Sequence, residues 1–162
     1  MAELIEVEIP VKKHLKKFLC CRYSHHHHLS LTNSVGNLIF YMMRNPRVVK
    51  QHDQWMAHYP EKYMVKIPSY HLMEFKRIDT NITSLAVVSF NDSVKEIFEA
   101  EMFNYIHLMT EFGKEQQQAI DSFMQKYGIL ETDITADALK KSFYRFRKEQ
   151  DSFLLKSLSS EN

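Results

Sequence analysis

The segment 138–148 reads ALKKSFYRFRK. Leu139, Phe143 and Phe146 recur at helical spacing, which leaves Lys140, Lys141, Tyr144, Arg145, Arg147 and Lys148 on the other side of a helix. Lys141, Arg145 and Lys148 form one i, i+4, i+7 stripe. Cations in such a stripe contact phosphates, and a tyrosine beside them can hydrogen-bond a phosphate or stack on a base. The same charges also suit a solvated helix face near a C-terminus. With the helix expected over 115–127, the segment has the outline of a helix-turn-helix. The turn is long, however, and the small residue usual in the first helix is misplaced.

A second basic group lies at Lys12, Lys13, Lys16 and Lys17, two i, i+4 like-charged pairs on the face away from Leu15 and Phe18. Each such pair costs a helix about 0.2–0.5 kcal/mol, which a bound polyanion would offset; solubility is the plainer purpose. His25, His26, His27 and His28 could hold a divalent ion, but no HExxH-like spacing accompanies them, so adventitious affinity is the expected reading and no metal or other cofactor is assigned. Cys20 and Cys21 are adjacent and unsuited to bridging each other, and no triad order accompanies them. Glu96, Glu99, Glu101, Glu111 and Glu115 read as the solvated face of a long helix. No catalytic signature emerges, and the expectation is a protein that is not an enzyme.

The net charge of +1 conceals a segregation: +4 over residues 1–60, −3 over 61–130 and zero over 131–162. Such asymmetry permits a polyanion-facing surface without requiring one. Apolar residues at 44% and charged residues at 25% are globular values, and three glycines disfavour phosphate-cradling loops. Neither a signal-peptide core nor a run of about 18 apolar residues is present, so a soluble protein of a reducing cytoplasm, without membrane contact, is expected.

These groups need elements to hold them. Residues 4–9 predict a strand, 11–22 a helix opened by Pro10, 25–31 an extended segment, and 35–44 a helix capped by Thr32, Asn33 or Ser34 and closed by Asn45 and Pro46. Met64 to Ile67 predicts a strand, and the Val- and Ile-rich run 82–90 another. Asn91, Asp92 and Ser93 then offer caps for a helix carrying Val94, Ile97, Phe98, Met102, Tyr105, Met109 and Phe112 on one face, stopped by Gly113. Helices near 115–127 and from Asp133 or Thr135 to about 156 follow, with a frayed end. VEIP at 7–10 with HLKKF at 14–18 is echoed by VKIP at 65–68 with HLMEF at 71–75, at offsets of 57 to 59. The echo suggests two strand–helix–strand–helix halves about a pseudo-twofold axis, or a hairpin from 65 to 90 in the second half. His14 and His71 recur in it as structural residues. The expectation is one α+β domain over 1–162: a first repeat at 1–45, a connector at 46–62, a second repeat at 63–113, and a C-terminal helical hairpin within 114–156.

The opening VEIPVKKHLKKFL and the close ITADALKKSFYRFRK resemble small proteins encoded by phages and mobile elements of Bacteroidetes-type bacteria. That resemblance implies a role in phage or element biology, such as DNA binding, regulation or a virion-associated part, within a bacterial host cell. It carries no site residues. The expected function is nucleic-acid binding by an accessory or regulatory protein, DNA ahead of RNA, through Lys12, Lys13, Lys16, Lys17 and the 140–148 helix. The alternative is a homo-oligomeric structural or interaction component, virion-associated or inhibiting a host factor.

Overall fold

The computed structural model describes residues 4–24, 26–28, 30, 32–44, 50–70 and 82–159. The echo at 71–75 with His71, the closing Asn45 and Pro46, and His25 fall outside them. Contacts gather the chain into two compact units, Met1–Phe98 and Glu99–Asn162.

In the first unit, strand β1 (Leu4–Val11) alternates outward Glu6 and Glu8 with buried Val7, Ile9 and Val11. That period of two makes a sheet with one wet face and one dry face. Strand β3 (Glu61–Pro68) does the same with Tyr63, Val65 and Ile67 buried. The two pair antiparallel, with Val7 opposite Val65 and Ile5 opposite Ile67. On the wet face Glu6 meets Lys66 at 3.4 Å, and Glu8 accepts from Lys62. A slip of one residue would turn the apolar set outward and break both pairs, so burial and charge specify the same register. Between them in sequence, the short strand β2 (His26–His28) joins the far edge of β3 in parallel, giving the order β1-β3-β2. VEIP and VKIP are thus neighbouring strands.

Helix α1 (Lys13–Tyr23) covers the dry face with Leu15, Phe18 and Leu19. Helix α2 (Ser34–Arg44) buries Val35, Ile39, Met42 and Met43. Of the three expected caps, Asn33 serves it: its Oδ1 accepts from the Gly36 N–H at 2.6 Å. A 3-10 helix (Lys50–His58) lies within the stretch expected to connect two repeats.

The largest departure from the sequence reading is the run 82–90. Instead of a strand, it supplies the opening turns of the 28-residue helix α3 (Ser84–Glu111). Thr83 caps that helix, its Oγ1 accepting from Ala86 N–H at 3.3 Å. Val87, Asn91, Val94, Phe98 and Met102 are all buried, a spacing of three to four that no strand can bury on one face. Asn91, expected as a cap, is therefore mid-helix and only 1% exposed. Its amide donates to the carbonyls of Pro10 and Val87, both at 2.9 Å, and accepts from Lys12 N–H at 3.1 Å. Phe98 packs edge-on to Phe18, with centroids 5.4 Å apart.

The second unit holds the end of α3, helix α4 (Gln116–Lys126) and helix α5 (Ala136–Ser159). Its core joins Met102, Phe103 and Ile106 to Ala119, Ile120, Phe123 and Met124, and to Leu139 and Phe143. Gly113 and Gly128 stop α3 and α4 at φ values of 83° and 62°, the left-handed turns that glycine adopts without strain. Glu115 and Gln118 form a capping box for α4. Thr135 caps α5, accepting from Ala138 N–H at 3.1 Å.

Two glutamates expected on a solvated face are internal acceptors: Glu99 takes the Ser142 hydroxyl at 2.6 Å, and Glu101 takes the Tyr127 hydroxyl and Lys126. Tyr127→Phe removes a bond to a charged acceptor, and is expected to cost about 1.5 kcal/mol by denaturant unfolding near neutral pH. Burial, aided by the bond to Glu101, pushes the Tyr127 hydroxyl above its ordinary range. A raised folded-state value means the increment is present below the unfolded tyrosine's pKa and lost as pH climbs past about 10. The wild type and Y127F should therefore converge in alkali; a gap that persists there would sink this account.

Candidate nucleic-acid interface

Helix α5 keeps Leu139 and Phe143 inside and leaves Lys140, Lys141, Tyr144, Arg145, Arg147 and Lys148 exposed, as its periodicity predicts. Residues 137–148 hold five cations and one carboxylate, a net charge of +4. Tyr144 is 68% exposed amid these cations, so its ring is available to a ligand and contributes little to the core. Lys141 pairs with Asp137 one turn earlier, at 2.8 Å. Their hydrogen bond, with the added attraction of the ammonium, holds the Asp137 carboxyl below the usual range. Such an exposed pair contributes little to stability and can exchange partners readily. Arg145 donates from Nε to the Lys141 carbonyl at 3.4 Å, a long and weak bond. Among the described residues, Lys140, Arg147 and Lys148 have no carboxylate within ion-pair distance.

The face is not flat. Lys140, Lys141, Tyr144 and Arg145, with Asp137 and with Gln116 of α4, line a groove of about 600 Å³. Arg147 lies in a second groove of about 500 Å³, with Phe103, His107, Phe143, Phe146 and Gln116 among its lining residues. Phe103 and Phe146 stack there with centroids 4.3 Å apart. The structure thus gathers four of the six expected α5 residues into one groove, places Arg147 in another, and leaves Lys148 exposed outside both. Gln116 was missed by the sequence reading. The signal was faint: in the run Gln116, Gln117, Gln118, the third serves the capping box and the second donates to Asp121 at 3.0 Å, which leaves the first to line both grooves. The link between α4 and α5 spans nine residues, 127–135, far beyond the three or four of a helix-turn-helix.

The lysines of α1 sit in the other unit and are less available. Lys16 donates to Glu61 of β3 at 2.8 Å, an intrachain reason for one of the clustered charges. Lys12 and Lys17 are half-buried, and Lys13 is exposed. Lys12 also anchors α1 through its backbone, by way of Asn91.

Cys20 is half-buried in α1, and burial pushes its thiol up against a smaller pull from Lys16, which disfavours a thiolate nucleophile. Among the described residues no three His, Cys, Asp or Glu side chains gather as metal ligands, and no helix is long and apolar enough to cross a membrane. Compared with protein-family models, with curated proteins and with solved structures, the chain matches none.

Proposed function

We propose that the protein is a non-enzymatic nucleic-acid-binding accessory or regulatory protein whose contact surface is the exposed face of α5. One observation carries the reading: five cations flank a solvent-facing tyrosine within three helical turns, and among the described residues only one of the five, Lys141, is ion-paired. Lys140, Lys141, Arg145 and Lys148 take phosphates, and Tyr144 takes a base or a phosphate oxygen. Lys13 and its neighbours on α1 add a weaker, separate basic surface. DNA is proposed ahead of RNA, in the setting of a phage or mobile element inside a bacterial cytoplasm, on the resemblance of the chain's two ends. No cofactor enters this reading.

About four neutralised phosphates give a logarithmic salt dependence with a slope near −3, so raising salt from 50 to 200 mM should weaken binding roughly 60-fold. Reversing charge at Lys141, Arg145 and Lys148 together should flatten that slope and lower affinity about a hundredfold at 50 mM salt, whatever the sequence of the oligonucleotide. Fluorescence anisotropy with labelled DNA and RNA reads both quantities. Absence of salt-sensitive binding at micromolar protein ends the proposal.

A second reading, an oligomeric structural or interaction component, draws on Phe112 and Leu108 at the end of α3. They are 78% and 49% exposed, one helical turn apart. Light scattering that finds a stable oligomer without affinity for nucleic acid would favour it.

A further inference from the structure

Resting on the nucleic-acid reading of α5, we infer that the polymer it takes is single-stranded, with one unpaired base seated in the groove of Gln116, Asp137, Lys140, Lys141, Tyr144 and Arg145. Three features of the groove separate this from duplex binding.

The first is shape. A helix that reads duplex DNA is a convex rod entering the major groove. Here the cations surround a concavity whose volume, about 600 Å³, falls in the range of pockets that enclose small ligands. The second is the carboxylate. Asp137 stands among the three groove cations that would hold phosphate, and is ion-paired to one of them, Lys141, at 2.8 Å. An acid repels a phosphate, but it accepts hydrogen bonds from the amino groups of cytosine, adenine or guanine. In a duplex one hydrogen of each amino group is engaged in base pairing and the other is offered only at a groove edge; in a single strand the whole Watson–Crick edge is open to both Asp137 and Gln116. Gln116, with an amide that both donates and accepts, stands in the same groove and suits the same edge. The third is the exposed ring of Tyr144, a stacking surface that every unpaired base can use and no base inside a duplex can reach.

The second groove extends the path. It shares Gln116 with the first, so the two adjoin, and it offers Arg147 over a floor that includes Phe103, Phe143 and Phe146. A strand leaving the Tyr144 groove meets Arg147 as the holder of its next phosphate. Cations at Lys140, Lys141 and Arg145, then Arg147, follow a backbone, while Tyr144 and Asp137 address a base.

The test uses the full chain and three labelled 12-mers of one mixed sequence: single-stranded DNA, single-stranded RNA, and duplex DNA. Anisotropy at 100 mM salt should show the single strands bound at least tenfold tighter than the duplex. Tyr144→Ala should weaken single-strand binding by about tenfold and duplex binding by no more than about twofold, while Tyr144→Phe, which keeps the stacking ring, stays within about twofold of wild type. Asp137→Asn should alter the ranking of homopolymeric single strands, since the acid becomes an amide with donors. A difference between the DNA and RNA arms would identify a contact to the 2′-hydroxyl and leaves the inference standing. Duplex binding equal to or tighter than single-strand binding, with Y144A silent, overturns it while the parent reading survives. Failure of all three polymers to bind removes the parent reading, and this inference with it.

Discussion

Replacing Asn91 with leucine, a side chain of the same branching but without polar atoms, is expected to destabilise the first unit by about 3 kcal/mol. The amide joins three backbone groups distant in sequence: the carbonyl of Pro10, at the end of β1; the N–H of Lys12, which opens α1; and the carbonyl of Val87, a turn back along α3. Lys12 flanks α1 without a side-chain cap, so Asn91 satisfies a donor that the local sequence leaves open. Leucine would fill the space and leave the Pro10 carbonyl and the Lys12 N–H without their partner. Each stranded group costs about 1–3 kcal/mol where water cannot reach it, and both are partly buried, so the lower half of that range applies to each. Asn91→Asp keeps the acceptor for Lys12 but turns a carboxylate toward two carbonyls, and should be at least as costly. Urea unfolding followed by circular dichroism measures both variants. A loss under about 0.5 kcal/mol for N91L, within the usual scatter of surface substitutions, would mean that water replaces the amide at no cost.

Gly36→Ala should destabilise as well, against the direction that helix propensity gives. Gly36 is the third residue of α2, and alanine in a helix interior is favoured over glycine by about 0.8–1 kcal/mol. A methyl there, however, would lie 1.8 Å from the Ser30 carbonyl oxygen and 2.8 Å from its carbon. Both are backbone atoms, so relief requires moving the chain at Ser30 or tilting α2, whose Val35 and Ile39 are wholly buried. Overpacking of this kind costs about 1–3 kcal/mol, occasionally more, and a clash this deep belongs at the upper end. The net expectation is a loss of about 2 kcal/mol, or a fall in Tm of roughly 10 °C for a unit of this size. A thermal melt decides it. A rise in Tm would mean that propensity governs this position and that the approach of Ser30 is loose.

Both of these positions were opaque in the sequence, and the reasons differ. Glycine in a helical run gives no sign of which distant atom approaches it. Asn91 looks like a cap in the sequence because Val87, Val88 and Phe90 before it favour strands, and a polar triplet after a strand resembles a helix start. Within one segment the β propensity of Val and Ile outweighed the spacing of 87, 91, 94 and 98, whose second member is polar and so hid the stripe. Where alternation or helical spacing was uninterrupted, as in β1, β3, α1, α2, α4 and α5, the elements fell close to their predicted places.

The candidate site divides in the same way. Which α5 residues face outward followed from Leu139, Phe143 and Phe146 alone. The grooves did not, because a concavity needs the neighbouring helices: Gln116 enters from 27 positions before Phe143, and Phe103 from 43 before Phe146. The lysines of α1 drew attention by their crowding, yet Lys16 finds Glu61 across 45 residues, a pairing that spacing within one helix cannot reveal.

The pairing of β1 with β3 has a consequence for the order in which the chain takes shape during synthesis. Partners in that ladder lie from 50 residues apart, Val11 with Glu61, to 64, Leu4 with Pro68. On the ribosome β1 therefore emerges long before its neighbour, and Val7, Ile9 and Val11 wait with their apolar row and open edge uncovered. Even after β3 arrives, the Pro10 and Lys12 backbone groups stay open until Asn91 is made, some 80 residues after them. The helices of 99–162 meet partners at shorter range, as Tyr105 with Phe123 and Phe103 with Phe143. Closing such contacts is faster than pairing distant strands. The earlier-translated of the two units is in this way the slower to be secured, and β1 is the segment a chaperone would have reason to hold.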